Sequence, residues 1–420
     1  MSERQRVDVL VVGAGPAGVA AAVTAAEAGA SVLLLDENAR PGGQVWRHDG
    51  AGGPPPAARG WLERLRRARV TTWSETTVLD GAPGYVVVER AGRVVTVEAS
   101  SMVLATGARE RVLPFPGWTL PGVVGVGALQ ALLKSGLEVR GQRVVLAGSG
   151  PLLLPVAALL VERGACLTTL AEQAELSELR RFALGLWRWP EKLIEATGYR
   201  WRTRDVPFRT GTWVAAAGGE GRLEEVELTD GASRWTERCD WLGTAQGLVP
   251  SLELPMLLGC ATSGGVVDVD EALTTSRAGV HAVGELLGIG GVSWALVTGR
   301  VAGAAAVGRD VEPALRRKLR RQRRFVELLG SSFGVRDELL ERMGDDTVVC
   351  RCEDVPWSAL RGRRSARDAK LHERVGMGPC QGRVCGPALE LLAGFGPPRV
   401  QPPLVPVRAA VLEEGWGGDA

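Results

Sequence analysis

The chain has 420 residues, 45% of them hydrophobic, with 50 Lys and Arg set against 48 Asp and Glu. That length asks for two or three domains, each with a sizeable core. A near-zero net charge with no concentrated basic face excludes nucleic acid as a partner. The longest apolar stretch, Pro151 to Val161, falls short of the roughly 18 residues that cross a bilayer, so no transmembrane segment is expected. No secretory leader is expected either, which makes the cytoplasm the expected location. Seven cysteines in that compartment point to metal or redox chemistry before structural disulfides.

Val7 to Val12 is predicted as a buried parallel strand, Pro16 to Ala28 as an Ala-rich helix stopped by Gly29, and Ser31 to Leu35 as a second strand. This is a βαβ unit. Its turn, Gly13-Ala14-Gly15-Pro16-Ala17-Gly18, has the GxGxxG spacing. The first glycine permits a tight turn, the second lets backbone approach a pyrophosphate, and the third lets helix and strand pack closely. The free N–H groups of the helix start then face the phosphates. Asp36, with Glu37 after it, ends the next strand, where a carboxylate accepts hydrogen bonds from an adenosine ribose. In that context the loop is a dinucleotide site.

Gly42, Gly43 and Gln44 follow in a turn. Tyr85 to Glu89 and Arg93 to Val97 are predicted as a hairpin across Ala91-Gly92. A strand ends in Ala105-Thr106-Gly107. A second βαβ start runs from Arg143 through Gly148-Ser149-Gly150 to a helix ending near Arg163 and a strand from Cys166. Here Leu153 replaces the third glycine, which is expected to push helix and strand apart and to alter or abolish the site. Glu172 stands where a ribose-binding acid belongs, so NAD bound by Gly148, Gly150 and Glu172 stays open. NADPH is disfavoured because no Arg pair marks that strand end. Later, a strand carrying His281, read as packing, ends in Gly284-Glu285 before a glycine-rich helix start.

Asp310 to Arg324 is strongly basic and is read as a solvated helix or linker. Cys166, Cys239 and Cys260 are isolated, each in or beside an apolar segment, and are expected to be buried and inert. Cys350 and Cys352, then Cys380 and Cys385, form a CxC…CxxxxC set able to converge on one site. Thiolates suit zinc and iron–sulfur clusters alike, and zinc sites favour CxxC knuckles, so this spacing leans toward [2Fe-2S]. Arg351 and Arg383 are placed to offset a cluster's negative charge. A helix with Pro387 near its start follows, its positive dipole end toward the sulfurs.

Taken in order, the GxGxxG loop with Asp36, the Gly43-Gln44 loop, the Ala105-Thr106-Gly107 strand and the Gly284-Glu285 turn resemble flavoprotein reductases with two dinucleotide-binding domains, the class of thioredoxin and rubredoxin reductases. The resemblance implies FAD. Gly13, Gly15, Pro16, Ala17, Gly18, Asp36 and Glu37 would hold its ADP part, and Gly43, Gln44, Ala105, Thr106 and Gly107 would flank it. Gly284 and Glu285 would reach the ribitol and diphosphate, with Glu285 where that class has Asp. Unlike thioredoxin reductase, this chain has no Cys-x-x-Cys. The cysteine-rich end resembles the bacterioferritin-associated-ferredoxin-like [2Fe-2S] domain, with a slightly short gap between the cysteine pairs.

The fold class expected is α/β: two Rossmann-like dinucleotide-binding domains, one inserted in the other, plus a small α-rich [2Fe-2S] domain. The expected boundaries are 1–112 and 254–310 for the FAD domain, 113–253 for the NAD-like domain, 311–344 for the basic linker, 345–395 for the cluster domain and 396–420 for an extended tail.

Ala105 to Arg111, Pro114-Phe115-Pro116-Gly117-Trp118, Gly127 to Gln130, Gly148 to Pro155 and Gly378 to Gly382 together resemble the FAD-containing α-type subunits of opine oxidase, hydrogen cyanide synthase and dye-linked proline and hydroxyproline dehydrogenases. In that family Leu153 is a shared feature. The resemblance implies a β-type, amino-acid-oxidase-like flavoprotein partner that oxidises a C–N bond, while this chain relays electrons through FAD and the cluster to an acceptor it does not identify. No catalytic acid or base of its own is evident. Two other readings stay open: a stand-alone NAD(P)H-dependent reductase passing electrons from FAD to the cluster, and a non-catalytic subunit holding its nucleotide structurally.

Overall fold

A computed structural model describes residues 3–48, 53–397 and 399–415. The chain forms two compact units: Met1–Arg109 with Val249–Glu327 and Arg399–Ala420, and Glu110–Leu248 with Leu328–Pro398.

The first unit is built on a mainly parallel sheet. Its strands run in the order Thr71–Trp73, Val32–Leu35, Glu3–Val12, Arg93–Leu104, then Tyr85–Arg90 and Thr76–Ala82 as an antiparallel extension. Runs of Val and Leu make the central strands apolar on both faces, as burial by helices on both sides requires. Beside Glu3–Val12 on one edge, Arg93–Leu104 is long enough to serve two partners on the other. Its first half pairs with Tyr85–Arg90, while Met102, Val103 and Leu104 pair in parallel with Val280, His281 and Ala282. That pairing returns the late Gly284 turn to the sheet that began with the first glycine loop. The helix Gly291–Ala305 then lies against Pro16–Glu27 at glycine distance: a Cβ on Gly299 would stand 2.2 Å from the Ala17 carbonyl oxygen.

The second unit repeats the plan with five parallel strands, in the order Phe208–Thr210, Cys166–Glu172, Arg143–Gly148, Trp241–Ala245 and Val123–Gly125. An antiparallel sheet of Trp213–Gly218, Glu225–Thr229 and Arg234–Arg238 adjoins it. The cysteine-rich segment belongs to this same compact unit. Its own small core holds Val349, Val355, Leu360, Val375 and Leu389.

Three expectations need correction. The basic stretch is the helix Pro313–Ser332, and it is not merely solvated: Leu315, Leu319, Gln322 and Phe325 form a buried stripe at helical spacing while the arginines face out. The tail is not wholly extended. Ala409–Gly415 is a short helix that buries Val411 with Leu79 and Val94, because a Val at that turn meets the open face of the hairpin. Residues 398 and 416–420 of that tail lie outside the described residues. Finally, Cys166 is exposed at the start of its strand, while Cys239 and Cys260 are buried. No helix among the described residues is long and apolar enough to cross a membrane.

Candidate functional site

In the first unit, register decides where the site lies. Val12 is level with Leu35 on one side and Leu104 on the other, and Leu104 is level with Ala282. The residues that follow are therefore Gly13, Asp36, Ala105 and Val283-Gly284, gathered along the carboxyl edge of one parallel sheet. That edge is where open α/β sheets bind ligands.

Gly13 has φ of +103°, and a Cβ there would stand 2.3 Å from the Ala105 carbonyl oxygen. A Cβ on Gly18 would stand 1.7 Å from the Gly13 oxygen. These two glycines are demanded by the fold itself. Gly15 is different: nothing lies within 4 Å of the place its Cβ would take. Its side is an open cradle at the start of helix Pro16–Glu27, the position that a pyrophosphate needs clear.

The Asp36 carboxylate accepts from the Ala14 amide at 2.5 Å and from both nitrogens of Asn38 at 2.7 Å. Three of its roughly four acceptor positions are thus filled by the loop, and the remaining one is free for a ribose hydroxyl. Asn38 also takes a bond from Arg47 at 3.0 Å, and Arg47 Nε is buried with no hydrogen-bond partner. Neither residue stands out in the sequence, because their meeting depends on the turn Gly42–Trp46 folding back. That turn is pinned by Gly42 N donating to the Ala14 carbonyl at 2.7 Å. Gly43 sits against Gly15, while Glu37 and Gln44 are exposed beside it. Thr106 donates to the Ser251 carbonyl at 3.0 Å, and Gly107 leaves its side open.

Gly284 is locked by a bond from its amide to Thr298 and by one from Trp294 to its carbonyl. The Glu285 carboxylate takes the Gly290 and Gly291 amides at 3.0 and 2.9 Å. A Glu is one methylene longer than Asp, and here it folds back to cap the helix Gly291–Ala305 instead of reaching outward. Burial raises its pKa above the usual carboxylate range. His281 is buried, and desolvation lowers its pKa. It packs and is not placed for proton transfer.

The second glycine loop copies the first in register, with Gly148 level with Glu172 and with Ala245. The Glu172 carboxylate accepts from the Gly150 amide at 2.9 Å and from the Ala174 amide at 3.0 Å. Burial pushes its pKa up to about 7. The Leu153 side chain is itself buried, and the helix Leu153–Glu162 starts only there.

The cysteines of the CxC…CxxxxC set meet in the second unit. Val348–Cys350 and Val355–Pro356 form a small antiparallel pair, and helix Cys385–Ala393 begins at the last cysteine. All four cysteines line one cavity of about 290 Å³ whose other wall includes Phe115, Trp118, Val123 and Val384. A hydrogen bond between the Cys350 and Cys385 side chains holds Cys350 down to about 6 and raises Cys385. Cys352 packs where Gly378 has no side chain: a Cβ there would stand 2.3 Å from the Cys352 Cβ. Arg351 lines the same cavity. Among the described residues, no group of three or more His, Cys, Asp or Glu already stands in metal-binding positions.

The Pro114–Trp118 motif now has a structural role. Trp118 Nε1 donates to the Val348 carbonyl at 2.6 Å, two residues from Cys350. The indole thus ties the sheet of the second unit to the cysteine strand. The outlying cysteines are inert by environment where they are buried: desolvation pushes Cys239 up to about 12 and raises Cys260.

Comparison with known proteins agrees with this arrangement. The pyridine nucleotide-disulphide oxidoreductase profile matches residues 7–305. The chain belongs to the pyridine nucleotide-disulphide oxidoreductase family. It is 34% identical to an opine oxidase subunit of Rhizobium meliloti over 95% of this chain and 97% of that one. It is 31% identical to the HcnB subunit of hydrogen cyanide synthase from Pseudomonas aeruginosa over 90% of each. The fold is shared with L-proline dehydrogenase from P. horikoshii, at a TM-score of 0.72 and 20% identity, over 98% of this chain and 80% of that one.

As a member of the pyridine nucleotide-disulphide oxidoreductase family, the chain is an FAD-dependent oxidoreductase. The open side of Gly15, the free amides at the start of helix Pro16–Glu27 and the remaining acceptor of Asp36 fit a flavin dinucleotide. FAD bound there supplies the redox chemistry, since it exchanges electrons singly or in pairs. The chain departs from the family's disulphide chemistry in having no Cys-x-x-Cys.

Proposed function

We propose that this chain is the FAD- and [2Fe-2S]-containing electron-transfer subunit of an amino- or imino-acid dehydrogenase complex. The observation that carries the reading is the single cavity lined by Cys350, Cys352, Cys380 and Cys385. Four thiols and no carboxylate or imidazole form a soft donor set suited to an iron–sulfur cluster. A cluster carries electrons one at a time, which is the step a flavin without a neighbouring disulfide needs. Likeness to subunits of opine oxidase and hydrogen cyanide synthase supports a complex of several chains that acts on opines, proline, hydroxyproline or glycine. The C–N bond would be oxidised on a β-type, amino-acid-oxidase-like partner.

One surface supports that partner. Helix Pro190–Arg202 buries none of its residues fully and turns Ile194 and Trp201 outward, 71% and 70% exposed. They lie two helical turns apart on one face. Trp187, also 70% exposed, stands on the preceding turn, and Arg188 and Arg204 stack on the two tryptophans. Exposed Trp with Arg is the composition of protein–protein contact centres.

The test is anaerobic co-production with the amino-acid-oxidase-like subunit from the same genome. A stable complex containing iron and acid-labile sulfide, which reduces a dye with one of these donors, is the expected result. A chain that purifies alone, without iron, and stays inert beside that subunit would refute the reading.

A further inference from the structure

We infer that residues 333–342 of this chain fill its second dinucleotide crevice and so exclude a pyridine nucleotide from it. The evidence is a contrast between equivalent positions. Gly13 and Gly15 are partly exposed, and nothing stands where a Gly15 Cβ would point. Gly148 and Gly150 are buried, and the Phe333 ring lies 3.8 Å from the place a Gly150 Cβ would take. The carboxyl edge of a parallel sheet is where polar strand-end side chains wait for ligand. In the second unit those side chains are already covered: Gln173 is 2% exposed and Gln246 5%.

The cover is a strap with defined fastenings. Gln173 Nε2 donates to the Gly334 carbonyl at 2.8 Å. Arg336 returns the contact, donating to the Gln173 carbonyl at 3.2 Å and to Glu175 at 2.8 Å, and its guanidinium lies over the Trp213 ring at 4.8 Å. Leu339 packs with Leu113, Trp213 and Ala388. Arg342 closes the end. It donates to the Val214 carbonyl at 2.7 Å and the Leu113 carbonyl at 3.1 Å, with its guanidinium 4.7 Å from the Phe115 ring centre. Burial depresses the Arg342 pKa to about 9, and carbonyl oxygens hold its charge.

The space left between Gly148, Gln173, Gln246, Leu339 and Arg342 is about 10 Å³. That is room for one water. Ligand pockets run to roughly 300 Å³ and above. Glu172 is bonded to its own loop at Gly150 and Ala174, much as Asp36 is to Ala14 and Asn38, so it is the cover and not the acid that separates the two crevices. A reduced nicotinamide therefore cannot deliver hydride from this domain. Electrons reach the flavin from another donor, whatever that donor's identity.

The test uses the full FAD-loaded chain, with NADH and NADPH as probes up to millimolar concentration. Calorimetry should give no saturable heat, the flavin should not bleach anaerobically, and hydrogen exchange over residues 148–151 should not change. Saturable binding with protection of 148–151 overturns the inference. Arg336→Ala removes the fastenings to Gln173 and Glu175 at a partly exposed site and leaves the packed core in place. It should speed exchange over 148–151 and 333–342 at least tenfold while the flavin content stays constant. Unchanged exchange in Arg336→Ala also overturns it, because the strap would then not be what shields the loop. Phe333→Ala provides a second reading of the same exchange, and the same two outcomes apply.

Discussion

The Glu172 carboxylate is bound to the Gly150 amide at 2.9 Å, across the same interval of 22 residues that separates Asp36 from Ala14 in the first unit. The two βαβ units therefore carry one design in two states. Asp36 lies beside an open cradle, whereas Glu172 is buried beside a loop that the 333–342 segment covers at Gly150 and Gln173. That burial has a pH signature. Burial raises Glu172 from 4.5 to about 7 in the folded chain. Between those values the folded state binds more protons than the unfolded one, so this group's stabilisation is complete below pH 4.5 and is lost as pH rises through 7. The shift corresponds to about 3 kcal/mol. Glu172→Gln should flatten the fall in stability between pH 5 and 8, as read by denaturant midpoints at both pH values. An unchanged pH slope would show that Glu172 is solvated.

The glycines of the first loop separate folding from cofactor binding. Gly15→Leu places its side chain in open space, so the chain should keep its melting temperature and lose most of its FAD, as measured by the flavin-to-protein absorbance ratio. Gly18→Ala drives a methyl into the Gly13 carbonyl at 1.7 Å. It should lower stability by several kcal/mol, on the order of an overpacked core. Equal behaviour of the two variants would contradict the cradle.

Trp118 couples the motif Pro114–Trp118 to the cysteine strand through the Val348 carbonyl. Trp118→Phe keeps most of the apolar contact and leaves that carbonyl unpaired, a cost of about 1–3 kcal/mol. The iron and sulfide content should fall while FAD stays bound, because the damage is confined to the second unit. Serine at Cys350, Cys352, Cys380 or Cys385 should do the same more severely. Serine at exposed Cys166 should leave iron unchanged, and iron loss there would argue for a different ligand set.

Ile194→Ser with Trp201→Ser removes apolar surface that is largely exposed, 71% at Ile194 and 70% at Trp201. The isolated chain should melt at an unchanged or slightly higher temperature. Affinity for the amino-acid-oxidase-like subunit should fall at least tenfold, as read by sedimentation or calorimetry. Wild-type affinity in this double variant would move the interface elsewhere.

Function is most legible in the sequence where chemistry follows from residue type and spacing. The first strand, the glycine turn and the helix after it are adjacent in the chain, so their geometry is dictated by glycine sterics, strand apolarity and the helix start. The two pairs of cysteines are legible as one group because thiols at short spacing can converge, and all four line one cavity. In the basic stretch 310–324 charge hides the packing, although Leu315 and Leu319, with Phe325 just beyond, already carry the buried period. Cys166 escapes its expected burial because an apolar neighbourhood in sequence does not say which end of a strand meets water.

What the sequence by itself determined is the repertoire: two glycine loops, two acids at matching intervals, four clustered thiols. All of these are short-range patterns whose physics is contained within a few turns of chain. Only the tertiary structure decided their use. Register aligned Gly13, Asp36, Ala105 and Gly284 on one sheet edge, Trp118 reached Val348 across 230 residues, and Phe333 to Arg342 returned to cover Gly150. Packing brings together residues far apart in sequence, and their mutual burial, not their local pattern, separates an open nucleotide cradle from a filled one.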